Sequence, residues 1–166
     1  MLSASVTRRG LVAFAAGAAI LVLGPGCATA RPQACTPQAA LRLEPLEIAT
    51  SSGVARFAVE LADTPKRREI GMMCRTSVAP DRGMLFDFGA PTDVAFWMRN
   101  TLIPLDMVFI AANGRVYSIV RNAQPQTDTP RPSGGPIRGV LEIAGGRAAQ
   151  LGILPGDRVR HRIFPK

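Results

Sequence analysis

Two carboxylates in apolar surroundings are the residues of this sequence best placed to do chemistry. Asp106 lies within the apolar run 105–110, and Glu142 lies between Leu141 and Ile143. A carboxylate inside an apolar strand must be hydrogen-bonded or have a raised pKa. If the two met, they would form an acid–base pair, as in glycoside hydrolysis, or coordinate a hard cation. We favour structural roles, because strand-end acids commonly cap turns and perturbed carboxylates also occur in structural networks.

Polar and aromatic residues near these acids predict a small binding pocket. An aromatic ring, two hydrogen-bonding side chains, two acids and two arginines form the predicted ligand-binding set: Trp97, Asn100, Thr101, Asp106, Glu142, Arg75 and Arg99. For Trp97 and Met98, a place in the hydrophobic core is the more common role. The two arginines would pair with the acids or hold an anionic ligand, although a solvated or structural arginine is more usual.

Other chemistries lack the residues they need. The sequence has a single histidine, His161, so it contains neither a histidine-based triad nor a zinc site with several histidines. Gly134-Gly135 and Gly145-Gly146 lack the lysine and the serine or threonine of a phosphate-binding P-loop. We therefore predict no metal and no cofactor.

The first thirty residues have the order of a secretory signal peptide. Arg8 and Arg9 give a positive start, an apolar run follows over residues 11–23, and Ala28-Thr29-Ala30 offers a small-residue cleavage site. The apolar run is shorter than the roughly 18–20 residues that span a bilayer. The sequence therefore predicts export.

Two features leave the export route open. The Arg8-Arg9 pair also resembles a twin-arginine signal. Cys27 would be acylated in a lipoprotein, but Gly24-Pro25-Gly26 before it lacks the leucine-like residue normally found three positions upstream. We predict a periplasmic or secreted protein. It would contact a membrane only through its signal, or through a lipid on Cys27 if it is a lipoprotein.

The remaining chain is basic, but not in the pattern of a nucleic-acid-binding protein. Residues 31–166 carry 18 basic and 12 acidic residues, and Lys66-Arg67-Arg68 is their only run of basic residues. Nucleic-acid-binding proteins usually concentrate positive charge on one face, with interleaved aromatic residues. We predict no nucleic-acid partner, and a partner that is an unknown small molecule, a glycan or an envelope protein.

Two cysteines, Cys35 and Cys74, follow the signal. In an oxidising compartment such a pair is a candidate disulfide, which would tie the N-terminal segment to the domain. The alternative is two unrelated thiols, with Cys74 as a small apolar residue at a helix end. Both interpretations stay open, because the sequence does not give the distance between the two residues.

Alternating apolar and polar residues predict a chain made mostly of short strands. Residues 41–50 and 54–61 alternate in this way. Thr64 is a good N-cap and Pro65 fits the first position of a short helix. Further strands are predicted over residues 84–88, 94–99, 105–110, 116–120, 140–144 and 157–164.

One hairpin and one long loop complete the pattern. Asn113-Gly114 favours a type I′ hairpin turn, and the many prolines and glycines of residues 122–138 predict a loop that is mobile or functional. We predict a mostly β (α+β) fold, a compact antiparallel β-barrel or sandwich with one or two short helices. The predicted organisation is an export signal peptide (1–30), a flexible tether (31–40) and a single β-rich globular domain (41–166).

Several short motifs resemble those of a known family. They read Gly71-Met72-Met73, Gly83-Met84-Leu85-Phe86, Phe96-Trp97-Met98-Arg99-Asn100-Thr101, Ile103-Pro104-Leu105-Asp106, Val140-Leu141-Glu142 and Gly145-Gly146. In order and spacing they resemble the uncharacterised prokaryotic family called domain of unknown function 192, from about Phe57 to Arg160. Cys74 departs from the pattern, in which a larger apolar residue is common. The resemblance implies a compact, β-rich and often exported domain, and it implies no particular activity.

Three functions follow from these observations. The first is a periplasmic binding or accessory module with the small polar pocket described above. The second is a hydrolase of cell-envelope glycans that uses Asp106 and Glu142 and needs their carboxyl groups about 5–9.5 Å apart. The third is a structural or protein-interaction domain that binds its partner through the proline-rich loop from Pro125 to Pro136.

Overall fold

The computed structural model describes residues 35–165, most of which lie in strands. The strands are β1 (Leu43–Thr50), β2 (Gly53–Ala62), β3 (Arg82–Thr92), β4 (Ala95–Phe96), β5 (Leu105–Ile110), β6 (Val116–Ala123), β7 (Arg131–Pro132), β8 (Ile137–Ala144) and β9 (Arg158–Arg160). The two helices are α1 (Pro65–Ile70) and α2 (Arg147–Gln150). The predicted signal peptide, with Cys27, lies outside the described residues.

Seven of these strands form one curled sheet in the order β6-β5-β8-β3-β2-β1-β9, and β4 pairs with β7 in a small second sheet. The curl brings the two ends of the large sheet together, where a bridge joins Arg115 to Arg158. The prediction of a mostly β barrel-like fold with two short helices is confirmed. One pair departs from an all-antiparallel arrangement: β2 and β3 are parallel, because α1 and the following loop carry the chain back across the sheet.

The two faces of the sheet bury different sets of side chains. Alternate residues of a strand point to opposite faces, so each strand contributes to both sets. The inner core lies on the face enclosed by the curl and contains Leu46, Ile48, Phe57, Val59, Leu61, Leu85, Val108, Ile110, Leu141 and Ile143. The outer core covers the other face and contains Met72, Met84, Phe86, Met98, Leu105, Met107, Phe109, Ile137 and Val140.

The predicted start of α1 is confirmed, because it depends on a side chain that hydrogen-bonds to the backbone three residues away. Thr64 caps α1 by accepting a hydrogen bond from the Arg67 N–H, as predicted.

The hairpin between β5 and β6 is confirmed, but its turn is not type I′. Gly114 has a positive φ of 76°, whereas Asn113 does not, and the Gly114 N–H donates to the Ala111 carbonyl. This pattern is typical of a type I turn that ends in a left-handed glycine.

The predicted strand boundaries were less accurate around the long loop and β4. The strand predicted over residues 94–99 is only two residues long, and β3 continues through the predicted break at Gly89-Ala90-Pro91 to Thr92. The long loop is interrupted by β7, which pairs with β4. No helix among residues 35–165 is long and apolar enough to cross a membrane.

A disulfide joins Cys35 to Cys74, with 5.4 Å between their Cα atoms. Of the two interpretations that the sequence left open, the disulfide is therefore the correct one. Gln38, three residues after Cys35, donates a hydrogen bond of 2.8 Å to the Gly71 carbonyl. The residues just before the sheet are thus fixed to the turn that follows α1.

Removing this bridge should destabilise the protein. The bridge spans 39 residues in sequence, so the chain-entropy estimate gives a loss of about 4 kcal/mol for the variant with Cys35→Ser and Cys74→Ser. Urea denaturation of the oxidised protein and the variant measures this loss. The reduced wild-type protein is the control and should match the variant. Equal stability of the oxidised protein and the variant would contradict the prediction.

Candidate functional site

Glu142 is a buried acid with no hydrogen-bond partner among residues 35–165. It lies on β8 opposite Met84 of β3 and Met107 of β5, so its side chain points to the outer-core face. Only 4% of the residue is exposed. No hydrogen bond joins its carboxyl group to any residue among 35–165. A buried polar group in this position costs free energy unless something else satisfies it.

Burial raises the pKa of Glu142 to about 8, although the positive charge of Arg75 acts in the opposite direction. At neutral pH the carboxyl group therefore carries its proton. Arg75 does not neutralise Glu142 directly, because both of its terminal nitrogens donate to Glu60, at 2.5 and 2.9 Å. Glu142 is thus an uncharged acid that offers one hydrogen-bond donor and one acceptor.

Glu142 opens onto a cavity of about 520 Å³ between α1 with its following turn and the strands β3 and β4. Its walls are mostly apolar and include two methionines and four aromatic rings: Ile70, Met72, Met73, Phe86, Phe88, Val94, Ala95, Phe96 and Trp97. The buried lining residues Met72, Phe86, Thr101 and Glu142 form its floor, whereas Glu69, Ala95 and Trp97 are exposed at its mouth. Such a cavity, apolar with few polar groups, is typical of small-molecule sites.

Backbone geometry brings the methionine wall close to the aromatic floor. Gly71 has a φ of 50°, and a Cβ atom there would lie 3.0 Å from the Phe86 ring. Glycine allows both the left-handed backbone and the close approach. Cys74 and Asn100 also have positive φ angles, of 65° and 55°, and the Cys74 N–H donates to the Asn100 carbonyl. This hydrogen bond joins the turn after α1, which carries Met73, to the segment that carries Thr101 of the cavity floor.

The aromatic rings of the cavity contact one another at their edges. Phe96 meets Phe86 at 5.1 Å and Phe88 at 6.3 Å between ring centroids, both in T-shaped geometry. Trp97 is 48% exposed, and the Arg99 guanidinium lies 5.1 Å from its ring centroid. Trp97 is therefore a residue of the cavity mouth and not of the core, whereas its neighbour Met98 is fully buried.

The family model described as "DUF192: Uncharacterized ACR" matches residues 47–161, which is most of the chain. The chain belongs to the DUF192 family. The predicted resemblance is therefore confirmed. The description of the DUF192 family gives no activity. No curated protein sequence matches the chain.

Two crystal structures are similar to this DUF192 chain. One, at 1.55 Å resolution, is of a Sinorhizobium meliloti 1021 protein described as a "putative transcription regulator"; it is 41% identical with a TM-score of 0.73. The match covers 76% of this chain and 99% of that one. The other, at 1.22 Å, is of a protein of unknown function from Novosphingobium aromaticivorans DSM 12444, 42% identical with a TM-score of 0.73. That match covers 77% and 93% of the two chains.

The DUF192 fold separates the two acids that the sequence suggested as a pair. Asp106 and Met107 are neighbours on β5, and Met107 faces the same side as Glu142, so Asp106 points to the inner-core side. Asp106 is fully buried and accepts hydrogen bonds from the backbone N–H groups of Asn122, Gly146 and Ala148. It therefore joins the end of β6 and the start of α2 to β5, and it lies outside the cavity.

The structure brings together three of the seven predicted ligand-binding residues of the DUF192 chain. Trp97, Thr101 and Glu142 line one cavity. Asn100 is exposed and contributes its backbone carbonyl to the Cys74 N–H.

The two predicted arginines are engaged with acids that were not predicted. Arg75 is paired with Glu60, and Arg99 is paired with Asp128 at 2.9 Å while it covers the Trp97 ring. Neither arginine lines the cavity. Arg99 reaches it only through its contact with Trp97, which is a lining residue.

Sequence reasoning missed the apolar walls of the site. Met72, Met73, Phe86, Phe88 and Phe96 have the composition of an ordinary core. Only the family motifs marked four of them, and Phe88 lies in none of these motifs. Among residues 35–165 there is no group of three or more histidines, cysteines or acids arranged to hold a metal ion. The chemistry that this site offers is hydrogen bonding by one carboxyl group under an apolar cavity.

Proposed function

We propose that the protein is an exported binding module that holds a small, largely apolar molecule in the cavity above Glu142. One observation carries the proposal: a buried carboxyl group with no hydrogen-bond partner among residues 35–165 forms part of the cavity floor. Buried polar groups are almost always hydrogen-bonded. A ligand that reached the floor would supply the missing partner, and its apolar part would displace water from the methionines and aromatic rings.

Binding fits the geometry better than paired-acid hydrolysis. The two acids of the predicted hydrolase, Asp106 and Glu142, point to opposite faces of the sheet. Asp106 already accepts three backbone hydrogen bonds, which leaves it no role at the cavity. The Trp97 ring at the mouth and the Thr101 side chain at the floor support a site that recognises a molecule by contact and hydrogen bonding.

Two observations support export as part of the proposal. The N-terminal thirty residues have the order of a signal peptide. The Cys35–Cys74 disulfide is of the kind that forms in oxidising compartments such as the periplasm. The role of the loop from Pro125 to Pro136 in partner binding stays a prediction.

Filling the cavity mouth tests the proposal directly. The uncharged fluorophore N-phenylnaphthylamine, which brightens in apolar surroundings, should bind to the wild-type protein. Ala95 is an exposed lining residue of β4, so Ala95→Trp places an indole in the mouth and should weaken binding by about tenfold or more. Fluorescence titration of both proteins measures the effect.

The matched control is Ala112→Trp, at an exposed position in the β5–β6 turn. This variant should bind the fluorophore as the wild type does. Circular dichroism and thermal melts establish that both variants are folded. If the fluorophore does not bind the wild type, or binds Ala95→Trp equally well, the cavity is not a binding site and the proposal fails.

A further inference from the structure

We infer that the ligand of this cavity is an uncharged molecule that presents an amide-type pair, a carbonyl acceptor beside an N–H donor, to the carboxyl group of Glu142. The inference rests on the proposed function and adds the chemical class of the ligand. An amide and a carboxylic acid complement each other in two hydrogen bonds: the acid O–H donates to the amide carbonyl, and the amide N–H donates to the acid carbonyl. The rest of the ligand is apolar, as the cavity walls require.

The site needs both a donor and an acceptor from its ligand. Glu142 is buried, and no residue among 35–165 donates to its oxygens or accepts from them, so both halves of the carboxyl group are left to face the cavity. A ligand with an acceptor alone would leave the acid carbonyl unpaired, and a donor alone would leave the acid O–H unpaired. Each unpaired buried group costs affinity. An amide satisfies both with one planar group.

The surroundings of Glu142 favour an uncharged ligand. Among the charged residues on the elements packed around it, Arg68 and Glu69 line the same cavity, and Arg75 is paired with Glu60. Arg68 is held by the carbonyls of Asp63 and Asp87. Burial raises the pKa of Glu142 to about 8, with Arg75 acting against it, so the acid carries no charge at neutral pH.

At the cavity mouth, arginine guanidinium groups already occupy one face of two aromatic rings, where a cationic ligand would otherwise bind. The Arg68 guanidinium lies 5.3 Å from the Phe88 ring centroid, and Arg99 lies 5.1 Å from that of Trp97. These are the positions that an ammonium group would take in an aromatic cage. The segments around the mouth are also balanced in charge, with four basic and four acidic residues: Lys66, Arg67, Arg68 and Arg99 against Asp63, Glu69, Asp93 and Asp128. The mouth therefore selects for neither sign of charge.

A set of probes that differ only in their polar group tests the inference. Naphthamide, naphthylmethylamine and naphthoate share one apolar body and carry an amide, an ammonium and a carboxylate. Each is titrated against the protein with bound N-phenylnaphthylamine at pH 6.5, and its displacement gives its affinity. We expect the amide to bind about tenfold more tightly than either charged probe, which corresponds to the gain from the second hydrogen bond and the absence of a desolvated charge.

Two substitutions of Glu142 separate hydrogen bonding from packing. In Glu142→Gln the side chain keeps a donor and an acceptor, so the amide preference should persist. In Glu142→Met the side chain keeps its length and loses both groups, so the affinity for the amide should fall by about tenfold, whereas the charged probes should stay weak. Above pH 8 the wild type should lose affinity for the amide as Glu142 gives up its proton, whereas Glu142→Gln should not. Glu47→Gln, at a partly exposed position on β1 where the side chain pairs with Arg56, is the matched control away from the cavity and should bind the probes as the wild type does.

The outcomes distinguish the inference from the proposed function. If N-phenylnaphthylamine binds but the amine or the carboxylate displaces it best, or Glu142→Met binds the amide as tightly as the wild type does, the inference is overturned and the binding cavity stands. If N-phenylnaphthylamine does not bind, the proposed function fails and the inference fails with it. An affinity for the amide that survives in Glu142→Gln and falls in Glu142→Met supports both.

Discussion

The wild-type protein is expected to lose stability as the pH rises from 4.5 to 8, and Glu142→Gln is expected to remove most of this loss. The ordinary pKa of a glutamate is 4.5, and burial raises that of Glu142 to about 8. Between these values the folded protein holds a proton that the unfolded chain has released. Folding therefore becomes less favourable as the pH rises, by about 1.4 kcal/mol for each pH unit, or on the order of 5 kcal/mol in all.

Urea denaturation of both proteins between pH 4 and pH 9 measures the effect, and the quantity of interest is the difference between the two curves. Other groups titrate equally in both proteins and cancel in this difference. The control variant Glu47→Gln, at a partly exposed position on β1, should show the wild-type pH profile. Parallel curves for the wild type and Glu142→Gln would mean that Glu142 is ionised in the folded protein. The conclusion that the cavity floor is uncharged would then be wrong.

Glu44, Glu60, Asp87 and His161 act in the opposite direction, towards acid. A hydrogen bond from Arg162 lowers the pKa of Glu44. For Glu60 and Asp87 burial is the largest single effect and raises the pKa, but arginine hydrogen bonds, backbone N–H donors and arginine charges together lower it. These three acids lose their contribution to stability as the pH falls below their ordinary range. Burial lowers the pKa of His161, although Glu44 raises it, so charging this histidine also costs stability below its ordinary pKa of 6.5.

The fold was largely predictable because its strands are half-buried and carry the alternation that this requires. Residues 54–61 alternate, and Phe57, Val59 and Leu61 all lie in the inner core. The parallel pairing of β2 with β3 was not predictable in this way, because alternation gives the face of a residue and not the neighbour of its strand. The short β4 was also misjudged, since Met98 packs in the outer core from the loop that follows the strand.

The site was predictable only in part, because the two acids look alike in sequence and differ in their long-range contacts. Asp106 and Glu142 both follow a leucine and precede an apolar residue on a buried strand. Their positions in the strand pairing place them on opposite faces, and backbone N–H groups 16 to 42 residues away satisfy only Asp106. The sequence alone gives neither the strand register nor the loop contacts. These decide which of the two acids is left without a hydrogen-bond partner among residues 35–165.

Asp106 replaces a helix cap that the local sequence does not provide. Gly146 occupies the N-cap position of α2, where it has no side chain to accept a hydrogen bond, and its φ is 82°. The Asp106 carboxylate accepts instead from the Gly146 N–H at 2.9 Å and the Ala148 N–H at 2.7 Å. It also accepts from the Asn122 N–H at 2.6 Å at the end of β6. One buried carboxylate therefore fixes α2 and β6 to β5.

The close packing around this carboxylate explains the glycine beside it. A Cβ atom at Gly145 would lie 2.5 Å from the Asn122 side-chain oxygen and 2.9 Å from the Pro104 Cβ atom. Real Cβ atoms do not approach other atoms so closely, so residue 145 must be glycine for the loop to reach Asp106. The Pro104-Leu105-Asp106 and Gly145-Gly146 motifs are thus two halves of one structural unit.

Asp106→Ala is expected to destabilise the protein more than any other single substitution considered. Hydrogen bonds to a charged group contribute about 1.5–3 kcal/mol each, and this variant leaves three backbone N–H groups without an acceptor. The expected loss is on the order of 5 kcal/mol or more, comparable with the whole stability of many domains of this size. Urea denaturation monitored by circular dichroism measures it, and extensive unfolding in buffer is an expected result.

Asp106→Asn keeps the measurement informative if the alanine variant does not fold. Its amide presents one oxygen and one NH₂ group, so at least one of the three N–H groups faces a donor, and the expected loss is about 2–4 kcal/mol. Asp93→Asn, at an exposed position before β4, is the matched control and should change stability by less than about 0.5 kcal/mol. Fluorophore binding by folded Asp106→Asn should match the wild type, because Asp106 faces away from the cavity. If this variant kept wild-type stability and lost binding, Asp106 would belong to the functional site and not to the framework.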